Sequence, residues 1–209
     1  MFCWLNLTFK SVQCTALFYA ECSTISLFLS FLTHTTEEGI DRLKLWLIDN
    51  ATVSEATLLD ELRSIQTFAA LRPADRIIIY LGAVFSEEVI SAGQIVKYKS
   101  VLAALAPTAI QQRHLISAFE WFCGRKYPQL VKYFPVVLKQ LFDEELVEED
   151  VFFEWSADLT RNEFSAEFSM IDIDTLENLK ATASLFIIWL QEAEEEGEEE
   201  EESEDEEDV

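Results

Sequence analysis

From Thr35 onward the apolar residues recur three and four positions apart, the spacing of one face of an α-helix. Breaks are few: the chain holds five glycines and four prolines. Thr35 with Glu38 has the form of a capping box, opening a helix to Asn50. Ser54 suits the cap of a second, with Leu58, Leu62, Ile65 and either Phe68 or Ala69 along its buried side. Arg72-Pro73 ends it, and Pro73 fits the first turn of a third helix through Ala83. The run Ile77-Ile78-Ile79-Tyr80-Leu81 also reads as a buried strand. Its neighbours are helical and no second strand answers it, so the helix is preferred. A fourth helix is expected from Ser86 to Leu105, with Gly93 as its weak point. Pro107 and Thr108 restart the pattern, and Ile110, Leu115, Ala118, Phe119 and Phe122 follow until Gly124. Pro128 opens a helix carrying Leu130, Phe134, Val137, Leu138 and Leu141. Val147 to Leu159 form the next, and the last runs from about Asp174 to Glu196.

Eight helices joined by short connections imply an all-α fold of stacked antiparallel helix pairs, an α-solenoid, because no single pair can bury its own apolar face. This rests on helix count and loop length, since no clean internal repeat is visible. In the last helix Leu176, Leu179, Ala183, Phe186, Ile187, Leu190 and Ala193 share one stripe, the expected core face. Leu185, Ile188 and Trp189 lie outside it. Trp189 is followed by Glu192, Glu194, Glu195 and Glu196. A ring beside clustered carboxylates suits a lysine, whose stem packs on the ring while the acids take the charge. An earlier segment repeats this composition: Glu144, Glu145, Glu148, Glu149 and Asp150 lead into Val151-Phe152-Phe153-Glu154-Trp155. There Val151, Phe152, Trp155 and Leu159 form the core side. The acids at that helix start also have a purely structural explanation, the N-terminal dipole. Those after Trp189 stand at the wrong end of a helix for that.

Composition sharpens the picture. Of 209 residues, 50% are hydrophobic and 12% aromatic, enough for a sizeable core. The formal net charge is −24, which disfavours direct binding of nucleic acid and favours basic partners. From Glu192 to Asp208 there are 14 acidic residues and no basic one. Such a run repels itself, so residues 197–209 are expected to be a disordered tail on a folded 34–196 domain. Residues 1–33 are an atypical apolar leader whose only charges are Lys10 and Glu21. They lack the basic start and cleavage site of a signal peptide, and their uncharged runs fall short of a membrane span. The favoured reading is a poorly ordered or incorrectly joined leader, with a membrane anchor as the lesser one. Cys3, Cys14, Cys22 and Cys123 show no metal or redox spacing, so free thiols in a reducing compartment are expected. Asn6-Leu7-Thr8 and Asn50-Ala51-Thr52 match the glycosylation pattern without meaning in such a compartment.

Catalytic chemistry is hard to find. The two histidines are His34 and His114, the latter read as a surface or boundary residue. No phosphate-cradling glycine loop and no isolated carboxylate pair occur. No catalytic residue, metal site or cofactor is expected. Lys97, Lys99, Arg113, Arg125, Lys126, Lys132 and Lys139 read as scattered surface cations. Ser203, in Ser203-Glu204-Asp205-Glu206, suits an acid-directed kinase; phosphorylation would add about −1.5 to −2 charges.

Leu141 through Trp155 resembles the first aromatic/acidic box of the two-tryptophan domain, and Phe186 through Glu196 resembles the second. That domain, of HEAT type, ends translation initiation factor five, the epsilon subunit of the factor-two exchange factor, some factor-four scaffolds and the factor-five mimics. A second box followed by an acidic tail is most similar to factor five or its mimics. The resemblance covers Gln129 to Glu196 strongly and extends back to Ala51. It implies a cytoplasmic, non-enzymatic adaptor that receives lysine-rich boxes of the factor-two beta subunit and works with factors one and three. By position, the acidic candidates are Glu144, Glu145, Glu148, Glu149, Glu192, Glu194, Glu195 and Glu196. Trp155 and Trp189 are the marker tryptophans, expected to be structural. A competitive mimic of factor five and an exchange domain of the epsilon-subunit type stay open as alternatives. Two features depart from the family: Ile188 stands where a polar or basic residue is usual, and there is no paired-cysteine ribbon. The chain is therefore expected to dock to factor two without stimulating its GTP hydrolysis.

Overall fold

The structure is a computed structural model that describes residues 35–157 and 171–205, with side chains as far as Ala193. The expectations for residues 1–33, for Leu159 and for the last four residues fall outside these. Nine α-helices are described: α1 (Thr36–Asp49), α2 (Glu55–Phe68), α3 (Asp75–Val84), α4 (Gln94–Lys97), α5 (Lys99–Leu105), α6 (Ala109–Trp121), α7 (Phe134–Asp143), α8 (Glu149–Ala157) and α9 (Ile173–Asp205). A π-helical turn, Phe122–Lys126, and a 3-10 stretch, Pro128–Tyr133, link α6 to α7. No strand occurs among the described residues.

The helix starts follow local chemistry. Thr35 and Glu38 form the expected capping box, with Glu38 N–H donating to Thr35 Oγ1 at 3.2 Å and Thr35 N–H to Glu38 Oε2 at 3.0 Å. Ser54 caps α2 through Thr57 N–H. Asp172 caps α9, accepting from Thr175 N–H at 2.8 Å, and these bonds to Thr175 hold its carboxyl below the usual range. Pro73 stands two residues before α3, because buried Asp75 reaches back to accept Arg72 N–H at 2.9 Å and to pair with its guanidinium. The Ile77–Leu81 run is helical and buried throughout, so α3 is the axle on which α1, α2 and α6 pack. Gly82 permits this: a Cβ there would sit 2.4 Å from Ile40 Cδ1 on α1.

The expected helix from Ser86 to Leu105 is broken into turns, α4 and α5, which raises the count from eight to nine. Gly93 adopts a left-handed φ of 57°, and Gln94 folds back so that its side chain accepts from Ser86 N–H and donates to Ser86 Oγ. The helix expected from Pro128 begins instead as 3-10, and α7 opens at Phe134, with Pro135 in its first turn. Gly124 does not end α6 in a simple cap. It lies in the π turn where α9 crosses, and a Cβ there would meet Thr175 Cγ2 at 2.9 Å.

Most expected core residues are buried, with instructive exceptions. Phe68 and Ile110 are exposed, Phe68 lying under the Arg42 guanidinium at 4.9 Å while Ala69 takes the inner position. Arg113 is no surface cation: it is 5% exposed and donates to Ser117 Oγ at 3.0 Å. On α9 the stripe narrows to Leu179, Ala183, Phe186 and Leu190, while Leu176 and Ile187 are half-buried and Ala193 is exposed. The α9 backbone runs to Asp205, past Glu196, the boundary read from the sequence. Glutamate is a good helix former, which favours such a continuation. Among the described residues, no helix is long and apolar enough to cross a membrane.

Candidate functional site: two acidic segments on one aromatic cluster

The first acidic segment leaves α7 through a Schellman turn. Leu146 N–H donates to Leu141 carbonyl at 2.9 Å, Glu145 N–H donates to Phe142 carbonyl at 2.8 Å, and Glu145 carries the left-handed φ of 54°. Leu141 and Leu146, the apolar pair that accompanies such a turn, are both buried. Glycine is the usual residue at the left-handed position, so Glu145 stands there at a backbone cost. It is also exposed at the negative end of a helix dipole. Neither property stabilises the fold. Half-buried Glu144 pairs with Lys99 at 3.3 Å, which neutralises part of this segment.

The segment then re-enters the body at α8. Buried Gln112 on α6 clamps Glu148 at both ends: Gln112 Nε2 donates to Glu148 Oε1 at 3.0 Å, and Glu148 N–H donates to Gln112 Oε1 at 2.9 Å. Glu148, Glu149 and Asp150 therefore sit at the start of α8, where the dipole favours them. Trp155 is 1% exposed, with its Nε1–H donating to buried Glu120 at 2.6 Å and its ring edge-on to Phe134. Lys180 of α9 donates to the Trp155 carbonyl at 2.9 Å and lies 5.5 Å from the ring centroid.

Trp189 differs. It is 39% exposed, edge-on to Phe142 at 5.9 Å and stacked on Phe186 at 6.0 Å. Phe152 completes the cluster, 6.3 Å from Phe142 and 5.2 Å from Phe186. Phe142 immediately precedes the first acidic segment, and Trp189 precedes Glu192 by less than one turn. The cluster thus ties the origins of both acidic segments to one end of the α7–α9 pair. Above the Trp189 ring, at 4.5 Å, lies the Lys139 ammonium, which also pairs with Asp143 at 2.8 Å. Leu185 and Ile188 are exposed on the same helix.

Of the acidic residues singled out in the sequence, Glu145, Glu148 and Glu192 are exposed and Glu144 and Glu149 are half-buried. The side chains of Glu194, Glu195, Glu196 and Ser203 lie outside the described ones. Sequence reasoning passed over Asp143, Gln112 and Glu120, and took Lys139 for a stray cation. The four-residue step from Lys139 to Asp143, directly before the first box, was the available signal for that pair. Elsewhere, burial pushes the Cys123 thiol up to about 12, leaving it unreactive. No group of residues suited to a metal ion occurs among the described residues.

Comparison with known proteins agrees with this geometry. Residues 111–208 match the family model W2: eIF4-gamma/eIF5/eIF2-epsilon. The chain is 31% identical over 152 residues to eukaryotic translation initiation factor 5 of Zea mays, covering 70% of this chain and 31% of that protein. It is 30% identical over 172 residues to the Mus musculus protein of the same name, covering 82% and 34% respectively. The chain therefore spans about a third of the length of the curated relatives it matches. Among solved structures, the C-terminal domain of translation initiation factor 5 at low pH superposes with a TM-score of 0.59 at 23% identity, covering 78% of this chain and 96% of that one. Its carboxy-terminal half, with the two unequal tryptophans and the aromatic cluster between them, carries a W2 domain of the eIF4-gamma/eIF5/eIF2-epsilon kind, matched over residues 111–208.

Proposed function

We propose that this chain acts in translation initiation as a cytoplasmic, non-enzymatic adaptor whose acidic, aromatic-backed end holds lysine-rich segments of other initiation factors. The lysine boxes of the factor-two beta subunit are the first such partner, with factors one and three as further ones. One observation carries the reading: the Phe142–Phe152–Phe186–Trp189 cluster draws the starts of two acidic segments together. Glu145, at the left-handed position of the turn, is a second support, because its charge and its backbone both oppose stability there. The segments differ in what they contribute. Glu144 is partly neutralised and Glu148 is committed to Gln112, so among the described side chains Glu145 and Glu192 supply the free charge.

The test is titration of a lysine-rich peptide at increasing salt. Exposed charge pairs are screened, so affinity should fall steeply as salt rises. Replacing Glu192, Glu194, Glu195 and Glu196 together with Gln should weaken binding about tenfold at low salt, with helix content unchanged by circular dichroism. A flat salt profile with unchanged affinity in that variant would rule the adaptor reading out. A GDP-release assay on factor two separates it from the exchange-domain alternative, which predicts acceleration.

A further inference from the structure

Three tryptophans of this protein each hold a lysine ammonium near the ring, and one of the three arrangements differs in kind. Lys180, near Trp155, donates to the Trp155 carbonyl at 2.9 Å. Lys126, near Trp121, donates to the Gly82 carbonyl at 2.5 Å. Both bond a backbone carbonyl and tie one part of the fold to another. Lys139 bonds no backbone carbonyl and reaches a second element only through the Trp189 ring. Its ammonium lies 4.5 Å above the Trp189 ring and meets both Asp143 oxygens, at 2.8 and 3.1 Å. The two charged side chains are about half exposed, 48% and 47%, and Trp189 is 39% exposed. Lys139 and Asp143 are one helical turn apart on α7, so their pairing holds no second element in place.

We propose that Trp189 and Asp143 form a binding seat for a lysine ammonium, which Lys139 fills in the free protein and leaves when a partner's lysine arrives. The inference rests on the adaptor reading and names the chemistry of one position within it. The arrangement already satisfies what a lysine requires: an aromatic face for the cation and a carboxylate for its protons. Exposed acidic residues follow both members of the seat along the chain, Glu145 two residues beyond Asp143 and Glu192 three beyond Trp189. Exchange of one lysine for another at the ring is close to neutral. An isolated lysine therefore gains little. A segment with several lysines gains, because its other charges reach the flanking acids while one takes the seat. The resident lysine makes the surface selective for clustered charge.

The experiment uses the full chain and a peptide with several consecutive lysines. Lys139→Met empties the seat, and Lys132→Met removes the same charge from the exposed Lys132 without touching the seat. Lys139→Met should raise peptide affinity about fivefold, and Lys132→Met less than twofold. In parallel, the Lys139 ε-methylene protons, shifted upfield by the Trp189 ring in the free protein, should move toward free-lysine values as peptide saturates the wild type. Equal effects of the two variants, or ε-methylene signals unmoved at saturation, would overturn the seat while leaving the adaptor reading intact. Absence of peptide binding to wild type and Lys139→Met alike would overturn both.

Discussion

The two aromatic/acidic boxes look like copies of one motif in the sequence, and the fold treats them oppositely. Trp155 is sealed inside, with its indole N–H spent on Glu120 and the acids before it placed where a helix start wants them. Trp189 is half outside, with its ring under a lysine and the acids after it continuing along α9, away from the helix start that would stabilise them. An indole followed by acids and an indole preceded by acids are thus different objects. The first box builds the wall and the second presents the surface, while Phe142 and Phe186 make them one unit.

That contrast predicts unequal consequences for one substitution. Trp155→Ala should cost about 3–5 kcal/mol of folding stability, since it empties a fully buried site and strips a buried carboxylate of a donor. Trp189→Ala should cost about 1–2 kcal/mol, because less of its ring is withdrawn from water. For lysine-rich peptide the order reverses: the Trp189 variant should bind more weakly, because the cluster that sets the two acidic segments together is loosened, while any folded fraction of the Trp155 variant keeps its affinity. Urea unfolding and peptide titration on the same pair of proteins measure both. Equal stability losses would mean that the boxes are equivalent after all.

Much of this was legible in the sequence. Helical periodicity, the Thr35 and Ser54 caps and the core positions of α7 come directly from local pattern, and the structure agrees with them. The break of the fourth helix was not legible, because the Ser86–Gln94 clasp competes with the helix through side-chain bonds eight residues apart. Ile110 was misread, and the choice between Phe68 and Ala69 left open, for a similar reason. Periodicity gives the direction of a residue but not whether another helix lies that way. The acids of the site were visible as a charge run. Their division into structural and free ones depends on Gln112 and Lys99, partners more than 30 residues away.

A second way to sharpen the comparison uses Glu145. If the left-handed position at the α7 exit is held by glutamate for binding and not for folding, Glu145→Gly should stabilise the protein by about 0.5–1 kcal/mol. It should also weaken peptide binding, by about two- to threefold for one exposed charge. A shift of the unfolding midpoint upward with affinity downward is the expected pair of results. A destabilised variant would show that the Glu145 side chain supports the fold after all, and the first box would then be structural along its whole length.

The smallest expected effect concerns a control that belongs to neither box. The Lys126 ammonium lies among Trp121, Phe122 and Tyr127 and donates to the Gly82 carbonyl. Burial, with Lys44 adding repulsion, lowers its pKa from 10.5 to about 8. The sign follows from proton counts. Between about pH 8 and 10.5 the unfolded chain holds a proton that the folded chain has lost, so stability contributed by this group rises with pH across that window. Below pH 8 the cost of charging it in place is fully present. Lys126→Met should therefore flatten the alkaline limb of the stability profile relative to wild type, while leaving lysine-peptide affinity unchanged at neutral pH. The half-buried position of Lys126 keeps the effect modest, since solvent reaches part of the side chain. Were Lys126→Met instead to alter peptide affinity as strongly as Lys139→Met, the response would follow total charge, and the distinction between a lysine that ties the fold together and one that occupies a seat would be lost.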